Sequence, residues 1–246
     1  MESTRSSHFG TLTVSLAIIA LLGVALMIFG AGFDLWEPIV GFGYIRNYLN
    51  PIGLCVLGLG VLVLIYYAYL RHRRGVIKSF ITVLIGLGLV APMVINLIQP
   101  PKRAPAIHDI TTDIVNPPKF LVLDDTRPGA KNSLIYAGEE VSSIQQTAYP
   151  YIKPITSTLP AIDAYKKALV IAHEMGWEIV AKDEATLRFE GIAQTPFFSF
   201  KDDVVVRVTP LNNQSKIDLR SVSRIGRGDR GVNAARIVDF TQRFNN

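Results

Sequence analysis

The chain carries one cysteine, Cys55, set in an apolar run, which excludes an intrachain disulfide and any cysteine-built metal site. Histidine is nearly as scarce: of four, only His108 and His173 follow position 101. A zinc centre has too few ligands there, and His173-Glu174 lacks the second histidine that a zinc-protease helix needs. Charge is thin too, on 18% of residues against 49% hydrophobic, where a soluble domain carries about 25% charged residues. The shortage is local, because 12–32, 52–70 and 79–99 contain no charged residue and no histidine. The one strongly polar side chain deep in these runs is Asn96, just past Pro92. Proton relays and ion pathways use ionisable groups inside the membrane, so transport is not expected.

What is present is a membrane pattern. At about 1.5 Å per residue each run reaches the roughly 20 residues that cross a bilayer as a helix, predicting three spans. Arg71, Arg73, Arg74 and Lys78 lie between the second and third, whereas 34–51 holds Asp34 and Glu37 against Arg46 alone. Lysine and arginine near span ends stay cytoplasmic. The 71–78 loop is therefore predicted inside, with the N-terminus and its Arg5, and everything after Gln99 outside. A cleaved signal peptide at the first span is the alternative, but its apolar core exceeds the usual 7–15 or so residues and no clean small-x-small site follows. Tyr66, Tyr67 and Tyr69, and Phe33, Trp36, Tyr44 and Tyr48, are predicted at the two interfaces, with 34–51 lying along the surface. Gly23 with Gly30, and Gly53 with Gly60, share helix faces suited to close packing. The first 101 residues hold six Lys and Arg against three Asp and Glu, so +3 of the formal +5 is a topology signal rather than a nucleic-acid footprint.

Pro100, Pro101 and Pro105 end the third helix and begin a second domain. Residues 107–120 read as extended chain and 124–133 as loop. Ala161, Tyr165, Ala168, Leu169, Ala172 and Met175 recur at helical spacing, opened near Pro160 and closed by Gly176. The period then changes to two, predicting strands over 177–182, 186–193, 204–209 and 216–224, with a turn at Leu211-Asn212-Asn213-Gln214 and a last helix over 232–244. The predicted architecture is a membrane all-α region of three transmembrane helices (1–101) and an extracytoplasmic two-layer α+β domain (102–246) with a mainly antiparallel sheet.

Several separated motifs carry a resemblance: Ile107-His108-Asp109-Ile110-Thr111-Thr112-Asp113 with Pro117-Pro118, Tyr149-Pro150, Met175-Gly176-Trp177, Phe200-Lys201-Asp202-Asp203-Val204-Val205, and Arg220-Ser221-Val222-Ser223-Arg224 with Asp229, Gly231 and Asn233. Together they resemble the family of domain of unknown function 1499. The resemblance implies a membrane-attached or exported domain of bacteria and plastids, and no established activity or catalytic residue.

Strand alternation places Arg188, Glu190, Arg207, Asp218, Arg220 and Arg224 on one sheet face if Phe189, Val204, Val206, Val208, Ile217 and Leu219 face the core. Such a face is either an ion-pair ladder, or a bed for the Asp109–Asp113 segment, or a site for an anionic group, since guanidinium forks match phosphate and carboxylate. Gly226-Arg227-Gly228-Asp229-Arg230-Gly231 matches the dinucleotide spacing, yet no second strand follows it. What remains there is a helix N-terminus flanked by Arg227 and Arg230, with Asp229 as the simpler occupant. The ligand candidates are thus Arg207, Arg220, Arg224, Arg227 and Arg230. The expected function is a binding or assembly module of the inner membrane facing the periplasm, in contact with the bilayer. Its candidate partner is an anionic lipid or an envelope protein, with no nucleic acid, cofactor or metal. An envelope hydrolase is the alternative, using His108 with Asp109 or Asp113 and with Ser221 as nucleophile, although no nucleophile elbow is present.

Overall fold

The computed structural model describes residues 7–212 and 214–246, so Arg5 and Asn213 lie outside the described residues. The chain divides into two compact units: a helical one that runs to Lys102 and includes Phe197–Ser199, and one of Arg103–Pro196 and Phe200–Asn246.

The helical unit contains α1 (His8–Phe29) with a 3-10 turn at Gly30–Phe33, α2 (Pro38–Tyr69) and α3 (Arg73–Ile98). All three are long and apolar enough to cross a membrane. The stretch expected as a surface loop is instead helical from Pro38 onward. Proline suits a first helical turn, and Ile45, Leu49 and Ile52 then recur on one face and pack with Ala17, Val24, Val56 and Leu89. Glycines set the approach of α2 to α3: a Cβ on Gly86 would lie 2.6 Å from the Leu57 Cα, and one on Gly60 2.9 Å from the Val83 nitrogen. Gly53 likewise meets Leu89 and Val90, but Gly23 faces nothing within 4 Å and is no packing position. Tyr67, near the end of α2, is buried against protein, with its ring against Gly75 and its hydroxyl 3.4 Å from the Gly10 amide. Much of the basic cluster belongs to α3, whose first turn is capped by His72 Nδ1 accepting from the Gly75 amide at 3.0 Å.

The second unit runs β1 (Asp109–Thr111), α4 (Glu139–Ala148), β2 (Ile155–Ser157), α5 (Ala161–Glu174), β3 (Glu178–Asp183), β4 (Arg188–Gln194), β5 (Lys201–Leu211), β6 (Gln214–Ser223), α6 (Val232–Asn245). The strands form one antiparallel sheet in the order β1-β6-β5-β4-β3, with β2 also paired to β6. The expected helices and strands are present within a few residues, and α4 and β2 are additions. One sheet face carries Phe189, Val204, Val206, Val208, Ile217 and Leu219, and α5 and α6 cover it with Ala164, Ala168, Ile171, Ile237, Phe240 and Phe244. The rings of Trp177 and Phe240 stack there at 5.6 Å. The opposite face is covered by the chain between β1 and α4, residues 112–138, which contains no helix or strand.

Candidate functional site

Register lines up the charged side chains of that opposite face. Arg188 of β4 is directly opposite Arg207 of β5, which is opposite Asp218 of β6, and Arg220 is opposite Val205, itself opposite Glu190. Period-two alternation puts all of them on the side away from α5 and α6. Most of them are not solvated: Arg220 is 1% exposed, and Glu190, Asp203, Asp218 and Arg224 are buried with it, while Arg188 and Arg207 are partly buried.

Their partners are of two kinds. The first are carboxylates. Arg220 holds Asp109 through Nε and Nη2 at 2.9 and 2.7 Å, Arg224 and Arg127 both hold Asp203, and Arg207 reaches Asp218 at 2.9 Å. The second kind is the backbone of 112–138. Arg220 donates to the Leu134 carbonyl at 2.8 Å and to that of Pro118 at 3.4 Å. Arg224 donates to Pro128, Arg207 to Asn116 and Arg188 to Lys119. Glu190 accepts the amides of Leu121, Val122 and Leu123 at 2.6, 3.1 and 2.8 Å. A covering segment without secondary structure leaves its peptide groups unmatched, and a buried unmatched group costs about 1–3 kcal/mol. The charged face supplies what a helix would have supplied internally. The segment is therefore a strap held by its backbone, with the Arg220 guanidinium also lying over the rings of Phe120 and Tyr136.

Between strap and sheet lies a cleft of about 790 Å³. Its apolar wall comes from Val115, Phe120, Leu121, Leu123 and Ile135, and Arg188, Arg207 and Arg220 line it as well. Val115, Leu121 and Ile135 are 81%, 67% and 80% exposed. Burial, then the charge of Asp109, pushes the Tyr136 phenol on the same wall up to about 12, so it stays protonated at neutral pH. Its hydroxyl, Arg207 Nε and Asp218 Oδ1 are buried without a hydrogen-bond partner among the described residues. Asp113 anchors the strap's entry, accepting Lys216 Nζ at 2.8 Å and the Val115 and Asn116 amides. Burial pushes its carboxyl up, but those bonds outweigh burial and hold it below the ordinary value.

The sequence-predicted ligand residues therefore separate. Arg220 and Arg224 are committed to Asp109, Asp203 and the strap. Arg207 lines the cleft. Arg227 and Arg230 are exposed in the loop before α6, where Asp229 takes the Gly231 and Asn233 amides at 2.9 and 2.6 Å. Burial holds that carboxyl above its ordinary value despite those bonds. The hydrolase residues are not brought together. Asp109 faces the strap, whereas the Ser221 hydroxyl is on the helix side, bonded to Asn233 and Arg236. The His108 side chain has no hydrogen bond or ion pair among the described residues, and its carbonyl accepts from Asn233 and Ser223. The sequence alone does not identify the cleft, although Val115, Leu121, Leu123 and Ile135 in an otherwise Pro- and Asp-rich stretch are its signal. Among the described residues no group of three or more His, Cys, Asp or Glu is placed to hold a metal.

A family model described as "Protein of unknown function (DUF1499)" matches residues 109–244, from β1 through the strap and all later strands into α6. No curated protein matches the chain.

Proposed function

The chain belongs to the DUF1499 family, and from that premise we propose that it is an inner-membrane protein whose three helices hold the α+β domain on the periplasmic side as a binding or assembly module. The orientation rests on the four basic residues of 71–78 against the two acids and one arginine of 34–51. The binding role rests on one observation: the strap holds exposed aliphatic side chains over a cleft of about 790 Å³, within the size range of small-molecule sites. A strap pinned at eight or more backbone groups presents that wall at low entropic cost to a ligand. The hydrolase reading has no comparable support, since Asp109 and Asp113 are held by Arg220 and Lys216.

Two measurements test the proposal. Alkaline phosphatase fused after Ala104 is active; an inactive fusion, with a cytoplasmic reporter working at that point, removes the periplasmic assignment. Affinity capture of the full chain from native membranes retrieves a lipid or protein that Ile135→Asp loses. Identical captures from both proteins remove the cleft as the binding surface.

A further inference from the structure

Resting on the reading of the domain as a binding module, we infer that the cleft takes a single-chain amphiphile with an acidic head, a carboxylate or phosphate on an aliphatic tail. The head is specified by Arg188 and Arg207. They are directly opposed on β4 and β5, and like charges across a strand pair repel. Each donates through Nη2 alone, Arg188 to Lys119 and Glu190, Arg207 to Asn116 and Asp218, so Nη1 of each has no protein partner among the described residues. The carboxylate on the Arg188 side is already shared, because Glu190 also accepts from three strap amides. Two adjacent guanidiniums with free donors at a cleft wall suit an anion with two or three oxygens, and an anion between them relieves their repulsion. Arg207 keeps 31% of its side chain exposed and Arg188 16%, so both are accessible.

The tail is specified by the other wall, where Val115, Leu121, Leu123 and Ile135 offer aliphatic surface without a hydrogen-bonding side chain among them. A free inorganic anion has no use for that wall, and an uncharged hydrocarbon has none for the arginines. On the proposed membrane anchoring by the three membrane-capable helices, a bilayer supplies a reservoir of such molecules.

The test uses the full chain in phosphatidylcholine nanodiscs, labelled with photoreactive palmitate or photoreactive hexadecanol, and adducts mapped by peptide. Palmitate labels 115–135, and unlabelled palmitate and lysophosphatidate compete while acetate and inorganic phosphate do not. Ile135→Asp and Leu121→Asp, both at exposed positions, reduce strap labelling about tenfold or more. Arg188→Gln reduces palmitate labelling about tenfold and leaves hexadecanol labelling unchanged. Val170→Asp, on the exposed side of α5, changes neither. Labelling confined to the helices, equal labelling by hexadecanol and palmitate, or competition by acetate or phosphate overturns the inference. If acid-headed chains fail while a protein is still captured through Ile135, only the ligand class falls; if neither depends on Ile135, the binding module falls with it.

Discussion

The two faces of one sheet are solved by opposite chemistry. Against α5 and α6 the sheet offers Phe189, Val204, Val206, Ile217 and Leu219, and apolar packing dominates, with a small polar knot of Ser221, Asn233, Arg236 and Asp202 beside α6. Against the strap it offers Arg188, Glu190, Asp203, Arg220 and Arg224, all buried or nearly so. The difference follows from what covers each face. A helix arrives with its peptide groups already paired, so an apolar partner suffices. An irregular segment arrives with them unpaired, and only side chains with several donors or acceptors match them at once.

Arg220→Ala gives the largest expected effect. It leaves Asp109 buried and alone and unties two strap carbonyls, costing about 3–5 kcal/mol in chemical denaturation. That matches what Phe240→Ala costs on the apolar face, about 3–5 kcal/mol. The faces part company in the double variant: Asp109→Leu with Arg220→Met recovers much of the loss, because no buried charge is stranded. A double variant as unstable as the two single losses summed breaks the distinction.

Glu190→Gln comes next. A neutral amide has one acceptor oxygen for three backbone donors, so stability drops by about 1–3 kcal/mol. Amide exchange speeds up at Leu121, Val122 and Leu123 while β6 stays protected. Uniform exchange across the domain would instead mean that strap and sheet open together.

Acid gives the smallest effect. Because the folded carboxyl of Asp113 lies below its unfolded value, its contribution is present above the unfolded aspartate pKa of about 3.9 and is lost as pH falls through the folded one. Protection at Val115 and Asn116, measured relative to intrinsic exchange at each pH, is therefore flat from neutral to about pH 4 and falls below it. On the helix side the buried carboxylate is Asp202, held by Arg236 at 2.6 Å, so the acid response is read at the Val115 and Asn116 amides, which belong to the strap. A loss of protection already complete at pH 5 removes Asp113 as the anchor.

How far the sequence reached divides along the same line. The periodicity of Ala161, Tyr165, Ala168 and Ala172 was enough to place α5, and strict alternation placed β4 to β6 and assigned both faces, because regular elements write their period into local sequence. α4 left little trace, since Val141 and Ile144 are its few large apolar residues and its fully buried side chain is Gln145. The 34–51 stretch carries charge and interfacial aromatics, which mask the face of α2 that buries Ile45 and Leu49. Residues 124–133 were legible as loop, but not as the partner of Arg224, because side chain to backbone bonds spanning 96 residues have no period to read. The arginine face was foreseen as a possible bed for the chain after Asp109. Nothing in the alternation indicates that, among the described residues, this bed leaves Nη1 of Arg188 and of Arg207 without a partner.

Gln145 carries one more consequence. Its side-chain oxygen takes the Thr111 amide at 3.0 Å and its nitrogen reaches the Thr111 carbonyl at 2.6 Å, so one amide group stands where a neighbouring strand would pair with β1. At the other end of the sheet, β3 presents Glu178, Lys182 and Asp183 and a register break between Ile179 and Ala181. Charge and irregularity of that kind deter edge-to-edge growth. One end is plugged by a mimic and the other roughened, so neither edge of the sheet invites a further strand.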